Sequence, residues 1–118
     1  MSDVEIERWK SQLLKGTAEL AVLAVLRDGP RYGLEILDAV RSSGLELAEG
    51  TIYPLLNRLQ KEGKLASCWV QDEGASHPRK YYRLTPAGAS LLEAMRAAWL
   101  EYAADVSRLV GKEGVHAE

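Results

Sequence analysis

Hydrophobic positions recur along most of this chain at the three- and four-residue intervals of helices, and they predict a mainly helical fold. A first helical segment spans Trp9 to Leu26, with Gly16 as the place where it could break. Its second half, residues 18–26, is apolar on nearly every face, as is typical of the most buried helix of a domain. Gly29 and Pro30 follow in the order that usually ends a helix.

A second helix is predicted from about Tyr32 to Ser42, and a third spans Gly50 to Glu62. A proline is tolerated only near the start of a helix, where backbone N–H groups have no partner, so Pro54 indicates a start near Gly50 or Thr51. Thr51 is the predicted N-cap. The buried side of this third helix is a stripe with the i, i+3, i+4, i+7 spacing, formed by Ile52, Leu55, Leu56 and Leu59.

The opposite side of the third helix carries a hydroxyl, a phenol, an amide and two cations. Such groups suit a helix laid in the major groove of DNA, where amides and cations meet base edges and phosphates. The alternative is an ordinary amphipathic helix with a solvated polar face. The outward residues are Thr51, Tyr53, Asn57, Arg58 and Lys61.

The pattern then changes to two short segments rich in aromatic and extended-favouring residues, 65–71 and 79–84. A polar loop bearing Gly, Ser and Pro joins them at residues 72–78, so they predict a β-hairpin. We expect Tyr82 to belong to the core and Cys68 to be a small apolar filler. Three helices followed by such a hairpin describe a winged helix-turn-helix, mainly α with a small β-hairpin.

Thr85 and Pro86 predict the start of a last helix, as its cap and its first residue. A narrow apolar seam of the heptad type runs along this helix and needs a partner. The seam could fold onto the first helix of its own domain or pair with a second subunit, and we favour a two-fold dimer. The predicted organisation is a DNA-binding domain at 1–85, a dimerisation helix at 86–110 and a flexible tail at 111–118. The seam consists of Leu92, Met95, Trp99, Tyr102, Val106 and Leu109.

Charge is segregated along the chain, although its net value is only −2. Of the 15 basic and 17 acidic residues, six basic and three acidic ones lie between Gly50 and Thr85, so this part carries +3 and the remainder −5. The basic part coincides with the third helix and the hairpin, which supports nucleic acid as the partner. The longest apolar run, Leu20 to Leu26, is far shorter than the ~20 residues of a membrane span, and we expect a cytoplasmic protein.

The sequence carries little that predicts catalysis or metal binding. It has no nucleophile–base pair, phosphate loop or pair of catalytic carboxylates, so we expect that the protein is not an enzyme. The single Cys68 excludes an internal disulfide. His77 and His116, without a second cysteine, are too few and too far apart for zinc. We therefore predict no metal and no cofactor.

Several runs of this sequence together resemble the PadR family of bacterial transcriptional regulators. They extend over most of the chain, and the GT-x-YP and KYY-x-LT runs, in this order, are the more specific ones. The chain looks like the short branch of that family, with a single C-terminal helix in place of an extended ligand domain. The runs are LKGT at 14–17, GPRYGLEI at 29–36, EGTIYPLLNRL at 49–59, EG at 62–63 and RKYYRLT at 79–85.

The resemblance implies a homodimeric repressor that binds double-stranded DNA. Residues of the third helix would enter the major groove, and two hairpin cations would approach phosphates or the flanking minor groove. The matching positions are Thr51, Tyr53, Asn57 and Arg58 for the groove, and Arg79 and Lys80 for the hairpin. Independently of the resemblance, Lys61 lies further along the helix, where it either reaches the DNA backbone or belongs to a solvated face.

A small aromatic or drug-like molecule often releases members of this family from DNA, and the sequence does not identify one. Trp99 lies in the middle of the seam, where it either packs the dimer or forms one wall of a flat apolar effector pocket. Trp9 could contribute from the first helix. We expect a repressor released by such an effector. The alternatives are a winged-helix module that binds a protein, and a small-molecule-binding dimer without a working DNA face.

Overall fold

The computed structural model describes residues 2–111, which form four helices and a small antiparallel sheet. The mainly helical composition and the hairpin agree with the sequence pattern. In chain order the elements are α1 (Asp3–Val25), β1 (Arg31–Tyr32), α2 (Gly33–Ser42), α3 (Glu49–Lys61), β2 (Leu65–Val70), β3 (Arg79–Leu84) and α4 (Pro86–Val110).

Helix α1 is longer than predicted and has no break at Gly16. It begins at Asp3 rather than Trp9 because Ser2 and Glu5 form a capping box. The Ser2 hydroxyl accepts from the Glu5 N–H, and the Glu5 carboxylate accepts from the Ser2 N–H, both at 3.2 Å. A glycine inside a helix costs only about 1 kcal/mol relative to alanine, which a helix of 23 residues absorbs.

Helices α2 and α3 form the predicted helix-turn-helix, but the start of α3 differs from the prediction. Ala48 is the N-cap, with extended backbone at φ −82° and ψ 144°, so the proposal of Thr51 as the cap was wrong. Thr51 lies in the first turn and donates its backbone N–H to the Ala48 carbonyl at 3.0 Å. Because the helix starts at Glu49, Pro54 lies beyond its first turn. The helix therefore lacks one backbone hydrogen bond, since proline has no N–H to donate.

The sheet has three strands in the order β1-β3-β2, of which only the hairpin was predicted. Strand β1 has two residues, which is too short for any alternation of polar and apolar positions to reveal it. In the hairpin, Leu65 pairs with Leu84 and Val70 with Arg79, so the first strand ends one residue before the predicted Gln71.

One face of the hairpin closes the hydrophobic core, and the prediction that Tyr82 is buried is confirmed. The prediction that Cys68 is a core filler was wrong, because its thiol is exposed. Cys68 pairs with Tyr81 and alternates with the inward residues, so it lies on the outer face of the sheet. The core consists of Ala18, Val22, Leu23, Leu26, Ile36, Leu37, Val40, Leu47, Ile52, Leu56, Leu59, Leu65, Tyr82 and Leu92.

Thr85 and Pro86 start α4 as predicted, and a tight joint fixes this start to the base of the hairpin. The Thr85 hydroxyl accepts from the Gly88 N–H at 3.0 Å and donates to the Gly63 carbonyl at 2.6 Å. The Thr85 N–H donates to the Lys64 carbonyl at 3.1 Å. A Cβ on Gly88 would lie 2.0 Å from that same carbonyl oxygen, so only glycine fits the joint.

Helix α4 packs against α1 at its beginning and is exposed along the rest of its length. Within residues 2–111, no helix is long and apolar enough to cross a membrane. Of the predicted tail at 111–118, all but Gly111 lies outside the described residues, so the tail stays a prediction.

Candidate nucleic-acid interface

The outward side of α3 is exposed in the way that its sequence pattern predicts. The helix buries its apolar stripe on one side, because the stripe recurs with the helical period. The other side is open to solvent and carries hydroxyl, amide and cationic groups. The exposed positions include Thr51, Pro54, Asn57, Arg58 and Lys61, all of which lie on one surface of the molecule.

Tyr53 lies at the edge of this surface and also packs against α2. Its side chain is 41% exposed, and its ring lies so close to Gly33 that a Cβ there would come within 2.6 Å of the ring. Partial burial, with a smaller contribution from Glu49, raises the pKa of the Tyr53 hydroxyl. The hydroxyl end of the ring therefore packs α3 against the start of α2, and the rest of the side chain accounts for its exposure.

Arg58 is exposed, but two carboxylates hold its guanidinium. It donates to Glu19 of α1 at 2.8 Å and to Glu62 of its own helix at 3.1 Å. Hydrogen bonds to Glu19 first and to Glu62 second raise the pKa of Arg58. The contact with Glu19 could not be predicted from the sequence, because the two residues lie far apart in the chain and meet only when α1 and α3 pack.

The two cations of the hairpin point to opposite faces of β3, because neighbouring residues of a strand alternate. On the outer face, the Arg79 guanidinium lies 4.6 Å from the centre of the Tyr32 ring and 3.6 Å from the Asp72 carboxylate. On the inner face, the Lys80 amine lies 5.4 Å from the centre of the Tyr82 ring. The structure therefore brings Lys80, but not Arg79, to the side of α3.

A shallow depression of about 480 Å³ lies between the end of α3 and the inner face of the hairpin. Four polar side chains line it: the amides of Asn57 and Gln60 and the amines of Lys61 and Lys80. Among residues 2–111, neither of these lysines makes an ion pair, in contrast to Arg58 and Arg79. Gln60 was not predicted, although it follows Asn57 by three residues and so lies next to it on the helix.

Asp72 closes the loop of the hairpin. Its carboxylate accepts a hydrogen bond of 2.7 Å from the Tyr81 hydroxyl and also pairs with Arg79. The bond to Asp72 raises the pKa of Tyr81 to about 12, because a phenol that donates to a carboxylate resists losing its proton. This pair shapes the outer face of the hairpin.

The predicted seam of α4 begins in the core and ends exposed. Leu92 is buried, Met95 is partly buried and Trp99 is 40% exposed, whereas Leu109 is 80% exposed. A groove of about 550 Å³ lies beside the seam, between α1, α4 and the segment that follows α2. Its apolar lining includes Leu13, Leu14, Leu20, Leu45 and Trp99. Trp9 lies on the same helix as three of these residues but does not line the groove.

These elements and surfaces are those of a known family. Residues 22–94 match the model of the transcriptional regulator PadR-like family. The chain belongs to the PadR-like family. The winged helix-turn-helix predicted from the sequence is confirmed by the solved structures of that family. Because the family consists of transcriptional regulators, the prediction that the chain is not an enzyme is confirmed as well.

Solved PadR-like structures superpose closely on this chain. A PadR family transcriptional regulator from Eggerthella lenta is 35% identical, with a TM-score of 0.81, over 94% of this chain and 96% of that one. Bacillus subtilis PadR, solved in complex with operator DNA, is 26% identical, with a TM-score of 0.61, over 67% of this chain and 45% of that one. A transcriptional regulator of Mycobacterium tuberculosis is 32% identical over 78% of this chain and 84% of its own length.

Proposed function

We propose that this protein is a homodimeric transcriptional repressor that binds operator DNA and is released by a small aromatic or drug-like effector. Two copies of α3, one from each subunit, would enter successive major grooves roughly 34 Å apart. Binding to chromosomal DNA implies a cytoplasmic protein. The observation that carries the proposal is the exposed polar side of α3 next to the two lysines, neither of which forms an ion pair within residues 2–111.

The lining of the depression supports two lysines as contacts with phosphate. The amines of Lys61 and Lys80 line one concavity, so they are placed to neutralise phosphates of one strand. Arg58 and Arg79 can reach DNA only by exchanging their carboxylate partners for phosphate, which lowers their net contribution. We therefore propose the lysines as the main backbone contacts and the two arginines as secondary ones.

We propose that residues on the exposed side of α3 contact the edges of the bases. Asn57 carries an amide, which forms a bidentate pair with adenine in a major groove. Thr51 lies in the first turn of the helix, where its hydroxyl is exposed. Tyr53 contributes the exposed part of its side chain at the edge of the same surface. The fact that Bacillus subtilis PadR was solved with operator DNA supports this use of the corresponding helix.

Dimer formation and effector binding belong to the other end of the molecule. The C-terminal half of the α4 seam is an exposed apolar surface that a second subunit would cover. It consists of Trp99, Tyr102, Val106 and Leu109. The neighbouring groove, lined by Trp99, is the proposed effector site, and a second subunit would enclose it further. An effector that prefers one spacing of the two α3 helices would shift the dimer away from the DNA-binding state.

Binding to a duplex from the region upstream of the protein's own coding sequence tests the proposal. Fluorescence anisotropy across a salt series, with mixed-sequence duplex as competitor, should show competitor-resistant binding that weakens steeply with salt. Asn57→Ala should lose about ten- to hundredfold on the upstream duplex and little on mixed sequence. Lys61→Ala should weaken both alike and lower the salt slope by about 1.

Arg108→Ala is the matched control, because it also removes one cation but from the last turn of α4. It should leave both the affinity and the salt slope unchanged. Wild-type protein that binds the upstream duplex no better than mixed sequence would point to another operator, to be sought by selection from a random duplex library. Failure to bind any duplex would contradict the proposal and favour the protein-binding module, which the mild net acidity supports.

A further inference from the structure

Trp69, near the end of β2, is 69% exposed, compared with 57% for Trp9 and 40% for Trp99. Single exposed apolar side chains are common on protein surfaces, so this exposure alone has no functional meaning. Trp69 differs from an incidental surface residue in what surrounds it. Its position is fixed by the hairpin register rather than by a flexible loop.

The register places Trp69 directly opposite Lys80. Residues paired across an antiparallel hairpin share a face, so the indole lies on the inner face, the one that holds Tyr82 in the core. Lys80 lines the depression at the end of α3 together with Asn57 and Lys61. The indole is therefore the cross-strand neighbour of a residue that lines the depression, although Trp69 itself does not line it.

The side chains that line the depression, together with Trp69, match the groups presented by one strand of a DNA duplex. Two amines that make no ion pair within residues 2–111 favour phosphates, and two amides offer hydrogen bonds to sugar or base edges. An exposed aromatic side chain beside such cations can pack on the deoxyribose and base edges of a duplex groove, which adds apolar contact that a phosphate contact lacks. An acidic peptide would satisfy the amines but would leave the indole without a flat partner.

We propose that Trp69 is a DNA-contact residue of the wing. Its indole packs against the sugar and base edge of the strand whose phosphates bind Lys61 and Lys80, just outside the bases that α3 reads. The inference rests on the proposed function, because it assigns a further residue to the same DNA surface. The inference adds Trp69 to the proposed DNA surface, which otherwise consists of α3 and the hairpin cations. The contribution of Trp69 to DNA affinity would not depend on charge.

The experiment compares Trp69→Ala and Trp69→Phe with wild-type protein on the upstream duplex and on mixed-sequence duplex. Trp69→Ala should weaken binding about tenfold on both, because partial loss of the contact area of one large apolar side chain has this size. Its salt slope should equal that of the wild type, since no charge is lost, whereas Lys80→Ala should lower the slope by about 1. Val70→Ala, the next residue on the opposite face, is the matched control and should bind normally.

Trp69→Phe supplies a spectroscopic readout. Wild-type tryptophan emission should change on addition of either duplex, and most of that change should vanish in Trp69→Phe, which keeps an aromatic ring and most of the affinity. Unchanged affinity in Trp69→Ala, or an emission change that persists in Trp69→Phe, would overturn the inference while leaving the proposed function intact. Wild-type protein that binds no duplex would overturn both. Thermal unfolding of each variant confirms that the exposed substitutions leave the fold intact.

Discussion

At the scale of single residues, several charged side chains of this protein bind other side chains rather than solvent alone. Asp72 holds both Tyr81 and Arg79, and Glu19 holds Arg58 across two helices. The exposed ion pairs of Arg79 and Arg58 contribute at most about 1 kcal/mol each to stability. In the proposed function their effect is larger, because each ion pair lowers the positive charge that remains for a phosphate.

The hydrogen bond from Tyr81 to Asp72 should give a measurable dependence of stability on alkaline pH. The pKa of Tyr81 is raised from 10.0 in the unfolded chain to about 12 in the folded protein. Its stabilising effect is therefore complete below about pH 10 and is lost as the pH rises through about 12. The difference in the free energy of unfolding between wild type and Tyr81→Phe, from urea titrations, should be constant at neutral pH and shrink above about pH 10.

Asp72→Ala removes the acceptor of the same bond, so its difference from wild type should narrow over the same pH range. A Tyr81→Phe difference that stays constant up to pH 12 would show that the hydroxyl keeps no special partner in solution.

At the scale of elements, the joint between α4 and the hairpin should be the position least tolerant of a small substitution. Gly88→Ala would place a Cβ 2.0 Å from the Lys64 carbonyl, so the start of α4 must move. We expect a loss of about 1–3 kcal/mol in the free energy of unfolding, the usual cost of overpacking. Gly50→Ala is the control, because a Cβ there meets nothing within 4 Å and alanine favours helix. Equal stabilities in urea titrations would contradict the tight joint.

The elements themselves could largely be predicted from the sequence, because helices and hairpins follow from local periodicity and local caps. The third helix was found within one residue at each end, and its exposed side as well. The strand at Arg31–Tyr32 could not be found, since two residues show no period and its partner lies about 50 positions away. The exposure of Cys68 follows from hairpin register, which the sequence alone left open.

The candidate site was predictable only in part, for the same reason. Which residues of α3 face outward follows from its helical period. That Arg58 meets Glu19, or that Lys80 rather than Arg79 joins Asn57, depends on how separate elements pack. The sequence therefore predicted which residues are candidates for the site. It did not predict which of them lie together, because that depends on side-chain contacts between distant parts of the chain.

At the scale of the whole molecule, the exposed end of the α4 seam should pair two chains. Val106→Glu places a charge in that seam and should convert a dimer, with twice the chain mass of 13.0 kDa, into a monomer in light scattering. Ala104→Glu adds the same charge on the opposite side of the helix and should remain dimeric. The monomeric variant should also lose affinity for the upstream duplex. A dimer in Val106→Glu would show that the subunits meet through another surface.

The hydrogen bonds of Thr85 and the close packing of Gly88 connect α3, the hairpin and α4 into one structural unit. The Lys64 N–H donates to the Leu59 carbonyl in the last turn of α3, and the Lys64 carbonyl accepts from the Thr85 N–H, so the two helices are joined through the backbone of one residue. Helix α4, with 25 residues, extends roughly 37 Å from this pivot. If α3 reads DNA as proposed, a change of operator preference by transplanting this helix from a related regulator should also require residues 63–64 and 85–88 from the same regulator. Without them, we expect the transplanted helix to be attached to α4 at a different angle.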